Sequence, residues 1–189
     1  MILHKDTPLF KDAVTITSQQ MNLPEIYIEK DYWVTLALHR IFTSPMAGEI
    51  VFKGGTSLSK CYTIIKRFSE DIDIVVLRNQ NETGNQLKAK LKQISQLLID
   101  ILPEIELVGV TNKKGMVRKT AHTFTKLFEG NYGQIRDVVI VEASWLGYHE
   151  PYTSKQVSSF IYQMMSNTGQ LSLVEKYGML PFEVLVLEP

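Results

Sequence analysis

One cysteine, a net charge of zero and no long apolar run are the scarcities of this 189-residue chain, and each narrows what it can be. A lone thiol, Cys61, excludes an intrachain disulfide and suits a reducing compartment. Its neighbours Tyr62, Ile64 and Ile65 place it on a half-buried helix rather than in a reactive site. Twenty basic and twenty acidic side chains cancel. No global field therefore draws nucleic acid, and any RNA contact has to come from a local patch. No apolar stretch approaches the roughly 18 residues of a membrane span. The opening MILHKDTPLF lacks the layout of a signal peptide. These features indicate a cytoplasmic protein with no membrane partner. There is no internal repeat and no low-complexity segment. What remains is an ordinary globular composition, 44% hydrophobic and 21% charged, in a chain long enough for one good-sized domain.

Periodicity orders the chain. Residues 9–21 are loosely amphipathic and predict a first helix; Pro24 opens a second, with Tyr27, Val34, Leu38, Ile41 and Phe42 at helical spacing. Pro45 and Gly48 end it. Ile50 to Phe52 read as a short strand running into Gly54-Gly55, with Thr56 or Ser57 as N-cap of a helix through Ile65. Ile72 to Leu77 read as a buried strand. Leu87, Leu91, Ile94, Leu98 and Ile101 form one apolar stripe, the clearest helical period in the chain, stopped by Pro103. Glu104–Val110 and Val117–Phe128 read as strands around the turn NKKG, and Val138–Trp145 as another. A weaker helix near Val157–Met165 precedes the terminal LPFEVLVLEP. This order predicts an α/β (α+β) fold: a mixed sheet, helices on one face and a helical N-terminal cap. The expected parts are residues 1–48 as the cap, 49–150 as the core and 151–189 as the start of a C-terminal region.

The chemistry concentrates in Val51–Val76, VFKGGTSLSKCYTIIKRFSEDIDIVV. Side chains at i and i+2 of a strand share a face, so Asp71 and Asp73 can converge on a metal. Mg²⁺ (or Mn²⁺) takes oxygen ligands and is completed by one or two carboxylates plus substrate phosphates. Glu142, mid-strand between Val141 and Ala143, is the candidate third ligand; a strand glutamate can equally face solvent or pair with a lysine. Gly54-Gly55 lets the backbone approach a phosphate, and the helix start behind it offers free N–H groups, with Thr56 or Ser57 adding a hydroxyl. Alone, a Gly-Gly turn is turn chemistry and an Asp-x-Asp a solvated strand end. Together, on consecutive strands of one βαβ-like unit, they predict a triphosphate-and-metal site. A P-loop does not fit, because the Gly-Lys-Ser/Thr ending is missing and Lys60 stands five residues past the second glycine. An aspartyl-phosphate phosphatase does not fit either, since the apolar residues follow the aspartates instead of leading into them.

At these residues the chain resembles the nucleotidyltransferase superfamily, with its hydrophobic-Gly-[Gly/Ser], helix, Asp-hydrophobic-Asp pattern. More narrowly it resembles the AbiEii/AbiGii (MenT-like) toxin family. The resemblance rests on Glu29-Lys30-Asp31-Tyr32-Trp33, Phe52-Lys53-Gly54-Gly55-Thr56-Ser57-Leu58 and Arg67-Phe68-Ser69-Glu70-Asp71-Ile72-Asp73, in the family's order. It implies a polymerase-β-like minimal fold and Mg²⁺-dependent transfer of an NMP from an NTP, with tRNA or another RNA as acceptor and an antitoxin protein as partner. It implies a triphosphate held by Gly54, Gly55, Thr56 and Ser57, and metal on Asp71, Asp73 and Glu142 as the catalytic carboxylates. Two departures follow. Ile140 stands where family members often carry a lysine on the third strand. The chain also stops at Pro189, where a helical half with a further lysine and aspartate is expected. The alternative is therefore a catalytically incomplete module that binds nucleotide or partner on the same fold.

Lys113, Lys114, Arg118 and Lys119 gather near the expected hairpin turn, and Lys88, Lys90 and Lys92 on a helix. On one side of the molecule they would make an RNA surface; otherwise they are a solvated turn and helix face. Tyr32 and Trp33 read as core or groove-lining residues, not base-stacking ones.

Overall fold

The computed structural model describes residues 1–64, 69, 71–130, 136–147 and 150–189. Arg67, Phe68 and Glu70 of the third resemblance block, and the expected helix end at Ile65, lie outside them. Two helices, α1 (Thr7–Met21) and α2 (Glu25–Phe42), open the chain. They are followed by β1 (Ile50–Lys53), α3 (Gly54–Tyr62), β2 (Ile72–Val76) and α4 (Gly84–Gln96). Then come β3 (Glu104–Ile105), β4 (Val117–His122) and β5 (Val139–Ser144). The remainder is β6 (Tyr152–Val157), α5 (Phe160–Asn167), α6 (Leu171–Lys176) and β7 (Phe182–Leu187). The seven strands form one mixed sheet in the order β3-β4-β5-β2-β1-β7-β6.

Alternation along the strands divides the sheet into two unlike faces. Ile50, Phe52, Ile72, Ile74, Val76, Val139, Val141, Ala143, Val184 and Val186 point into one core with the helices. The other face carries Lys53, Asp73 and Glu142, beside a small cluster of Ala121, Val138 and Ile140. The helices thus cover one face, as expected, and these charged residues lie on the other. Ile140, where a lysine was expected, packs in the small cluster.

Helix α2 lies at the centre of the packed layer, with α1 and α5 on one side and β5 and β7 on the other. Fourteen of its residues are buried, so the narrow apolar stripe read from sequence covers only part of its contact surface. Glu29, Lys30 and Asp31 are buried too, at 0%, 0% and 2% exposure. Each is tied down. Glu29 accepts from the N–H groups of Leu127 (2.8 Å) and Phe128 (3.2 Å). Lys30 donates to the carbonyls of Arg136 and Val138. Asp31 accepts from Lys60 Nζ at 2.6 Å and from the Phe160 N–H at 2.8 Å. Tyr32 and Trp33 are core residues, Trp33 stacked on Phe124 with ring centroids 5.5 Å apart.

Several boundaries differ from the sequence reading. Thr56 and Ser57 do not cap α3, which begins at Gly54 with no side-chain cap; the Ser57 hydroxyl turns back onto the Gly54 carbonyl. The strand expected over 104–110 stops at Ile105, because the N–H groups of Val110 and Thr111 both close onto the Leu107 carbonyl in a turn. The strand expected through Phe128 stops at His122, because the chain beyond it is held by Glu29. The helix expected from Val157 begins at Phe160, capped by the Ser159 hydroxyl, and the polar YTSKQV before it is edge strand β6. β1 and β2 are antiparallel, so the unit around α3 is not a βαβ crossover.

The Asp31–Lys60 pair is buried on both sides, with side-chain exposures of 2% and 7%. Asp31→Ala leaves the ammonium unpaired inside the protein and is expected to cost about 3–5 kcal/mol of unfolding free energy. Urea denaturation measures it, and adding Lys60→Met should recover part of that loss; simple additivity of the two losses would show the pair is not coupled.

Candidate active site

The antiparallel turn-back of β1 onto β2 makes the site. It brings the end of β1 beside the start of β2, with Lys53 opposite Asp73. A parallel crossover would have left the glycine turn and the aspartates at opposite ends of the sheet. β5 then lies parallel to β2 with Glu142 opposite Asp73, and β4 antiparallel to β5 with Lys119 opposite Glu142. Four charged residues therefore form one row across four strands: Lys53, Asp73, Glu142, Lys119.

The glycine turn touches this row directly. Gly54 has φ +80°, and a Cβ there would meet Asp73 Oδ2 at 2.2 Å. Only glycine allows the backbone at the head of α3 to come so near the carboxylate. The first N–H groups of α3 have no intrahelical partner and no side-chain cap. Thr56 and Ser57 are each 1% exposed. The Thr56 hydroxyl lies 3.0 Å from that of Ser69, and Ser57 bonds Gly54 at 2.8 Å. Of the four residues expected at the triphosphate, Gly54 and Gly55 offer backbone, while the two hydroxyls are engaged inside the protein.

The carboxylates crowd one another. Burial, then Glu142 and Asp71, push the Asp73 pKa up to about 6, against the pull of Lys53 and Lys119. Asp71 Oδ1 is buried without a hydrogen-bond partner, and its Oδ2 lies 3.6 Å from Arg136. An orphaned carboxylate oxygen beside a second carboxylate that resists ionisation fits a divalent cation, which would satisfy both. Glu142 is engaged differently: Lys119 Nζ lies 2.9 Å from its Oε2. Among the described residues, no three acidic, histidine or cysteine side chains are gathered closely enough to hold an ion.

The basic residues read as either an RNA surface or a solvated turn and helix face do not form one cluster. Lys113 and Arg118 pair with Glu104, and Arg118 also donates to Ser95 on the helical side of the sheet. Lys119, the next residue along β4, points the opposite way, into the carboxylate row. Lys114 is exposed on the turn, and Lys90 pairs with Glu49 and Glu82. Lys60 serves Asp31 rather than a phosphate. Cys61 is half-buried on α3, and burial pushes its thiol up to about 11, which makes it unreactive. Lys53 and Lys119 are the site cations that motif reading did not assign to the carboxylates. Their signal was positional: Lys53 immediately precedes the glycines, whereas Lys119 enters only through strand pairing.

The Asp73 shift gives a signed prediction. Its ordinary pKa is 3.8 and its folded value about 6, so the folded chain binds this proton more tightly than the unfolded one. That contribution to stability is complete below the ordinary value and is lost as pH rises through the folded one. Asp73→Asn should therefore raise the thermal midpoint near neutral pH without divalent cations, with the gain shrinking as the pH approaches 4. A wild-type chain at least as stable as the variant at neutral pH would show that the repulsion is absent.

Comparison with known proteins bears on the fold and the family. No curated protein matches the chain in sequence. Among solved structures, MenT4, nucleotidyltransferase toxin Rv2826c from Mycobacterium tuberculosis H37Rv, is similar in fold, with a TM-score of 0.51 at 18% identity. The match covers 93% of this chain and 54% of that one, so the chain spans about half the length of that relative. No helix among the described residues is long and apolar enough to cross a membrane. The family model for the nucleotidyl transferase AbiEii toxin of type IV toxin–antitoxin systems matches residues 36–189, from the middle of α2 through every strand of the sheet. With the glycine turn, both aspartates and Glu142 inside that match, the chain belongs to the AbiEii nucleotidyl transferase toxin family.

Proposed function

We propose that this chain transfers a nucleoside monophosphate from an NTP to an RNA acceptor, tRNA first among them, on the carboxylate face of the sheet. The observation that carries this reading is the contact between Gly54 and Asp73, which sets a phosphate-binding helix start against a carboxylate pair. The N–H groups of Gly54 and Gly55 receive the triphosphate, aided by the positive end of α3. Asp71 and Asp73, with Glu142 from β5, are the residues that would hold Mg²⁺ or Mn²⁺. When bound, such a cation would supply positive charge against that developing on the phosphates and the leaving pyrophosphate. Lys53, at the mouth of the glycine turn, adds positive charge where pyrophosphate departs. The acceptor hydroxyl gives up its proton to solvent as its oxygen attacks the α-phosphorus, the bond from that phosphorus to the bridging oxygen of the β-phosphate breaks, and pyrophosphate leaves with that oxygen. A cognate antitoxin restrains the enzyme, and the cytoplasm supplies both NTP and RNA.

A second reading rests on the Lys119–Glu142 pair, which occupies the third carboxylate. On it the chain is a module that binds nucleotide, or a partner, without turnover.

Labelled NTPs, offered one at a time with total tRNA and Mg²⁺, separate the readings. Transfer is expected with at least one NTP, and Asp71→Asn or Asp73→Asn should reduce it by about 100-fold or more, the scale on which loss of transition-state charge stabilisation is felt. Gly54→Ala should do the same, because its Cβ collides with Asp73. Transfer indifferent to Asp71→Asn would sink the first reading. Mg²⁺-dependent NTP binding without transfer would establish the second.

A further inference from the structure

We infer that Lys119 is an exchangeable counter-ion, neutralising Glu142 while no divalent cation is bound and released towards the nucleotide's phosphates when one is. This rests on the nucleotidyltransferase reading of the site and assigns a role to a residue that reading leaves aside.

Three observations carry it. First, register places Lys119 beside Glu142 on the carboxylate face, whereas Arg118 goes to Ser95 and Glu104 and stays on the helical side of the sheet. Lys119 is thus delivered to the site by strand alternation, not by surface chance. Second, the bond is made to be exchanged. Its partners are 28% and 37% exposed, so water can replace either one, unlike the sealed Asp31–Lys60 pair at 2% and 7%. Third, among the described residues each carboxylate of the face has a cation near it. Asp71 has Arg136 nearby, Asp73 has Lys53 across the strand pair, and Glu142 has Lys119.

This pairing has a consequence for order of binding. Carboxylates with cations near them attract a free dication weakly, and Lys119 repels it outright. A dication accompanied by a triphosphate brings negative charge as well, and the displaced ammonium then has phosphate oxygens to meet. Lys119 therefore opposes metal alone and favours metal with nucleotide. The two effects have opposite signs, which a merely structural role would not produce.

The test uses the full chain, with Mn²⁺ as metal probe read by electron paramagnetic resonance and inorganic tripolyphosphate with Mg²⁺ as phosphate probe read by calorimetry. Lys119→Gln is expected to tighten Mn²⁺ binding roughly three- to tenfold and to weaken tripolyphosphate binding by a similar factor. Lys119→Arg, which keeps the charge, should follow the wild type in both. Asp73→Asn should lose Mn²⁺. Mn²⁺ binding that depends on Asp73 but is unchanged or weakened by Lys119→Gln overturns this inference and leaves the nucleotidyltransferase reading standing. Unchanged tripolyphosphate binding overturns it equally. A failure to bind Mn²⁺ in wild type and Lys119→Gln alike, with or without tripolyphosphate, overturns both. Circular dichroism of each variant establishes that the fold is retained; Lys119 lies on a partly exposed strand face where glutamine can be solvated.

Discussion

Three consecutive buried charges in the N-terminal half of α2 hold this structure together. Glu29, Lys30 and Asp31 radiate from one turn of helix, and each fixes a different part of the chain. Asp31 fixes α3 through Lys60 and the head of α5 through the Phe160 N–H. Lys30 fixes the approach to β5 through two carbonyls, next to the Arg136 side chain that faces Asp71. Glu29 fixes the segment after β4. Burying such groups is costly unless every one is satisfied, and here the satisfaction is long-range. Apolar residues at these three positions would not fix the last turn of α3 or the approach to β5 through such bonds.

That specification matters because the site is assembled from the ends of those elements. The proposed phosphate half lies at the start of α3, and the carboxylates lie at the start of β2 and on β5. Neither half has a ligand-shaped core of its own. Their relative position depends on the close approach of Gly54 to Asp73 and on the antiparallel pairing of β1 with β2. The helix layer holds one face rigid, and the opposite face is free to carry charges that would be intolerable in a core. The pKa of Asp73 is raised first by burial and then by Glu142 and Asp71 beside it.

Much of the fold was legible because its signals are local. The stripe from Leu87 to Ile94 announces α4, and the apolar runs announce β1, β2 and β5. The polar edge strand β6 was invisible for the converse reason: it has no apolar pattern, and only pairing with β7 makes YTSKQV a strand. The N-cap reading of Thr56 and Ser57 failed because a hydroxyl's partner depends on where the helix starts. The helix starts where Gly54, at positive φ, lets the chain turn.

For the candidate site, spacing in the sequence singled out Gly54-Gly55, Asp71 and Asp73, and the surrounding motifs led to the family, because these patterns are local. Glu142 could be named as a strand carboxylate, but whether it faced solvent, metal or lysine was open. Only the tertiary structure decided that Lys119 is its partner, that Lys53 stands across from Asp73, and that the conspicuous EKDYW block is scaffolding. Those facts are set by strand register and by contacts between residues dozens of positions apart. Cross-strand neighbours and buried ion-pair partners are properties of the assembled sheet and its helices, and no local pattern encodes them.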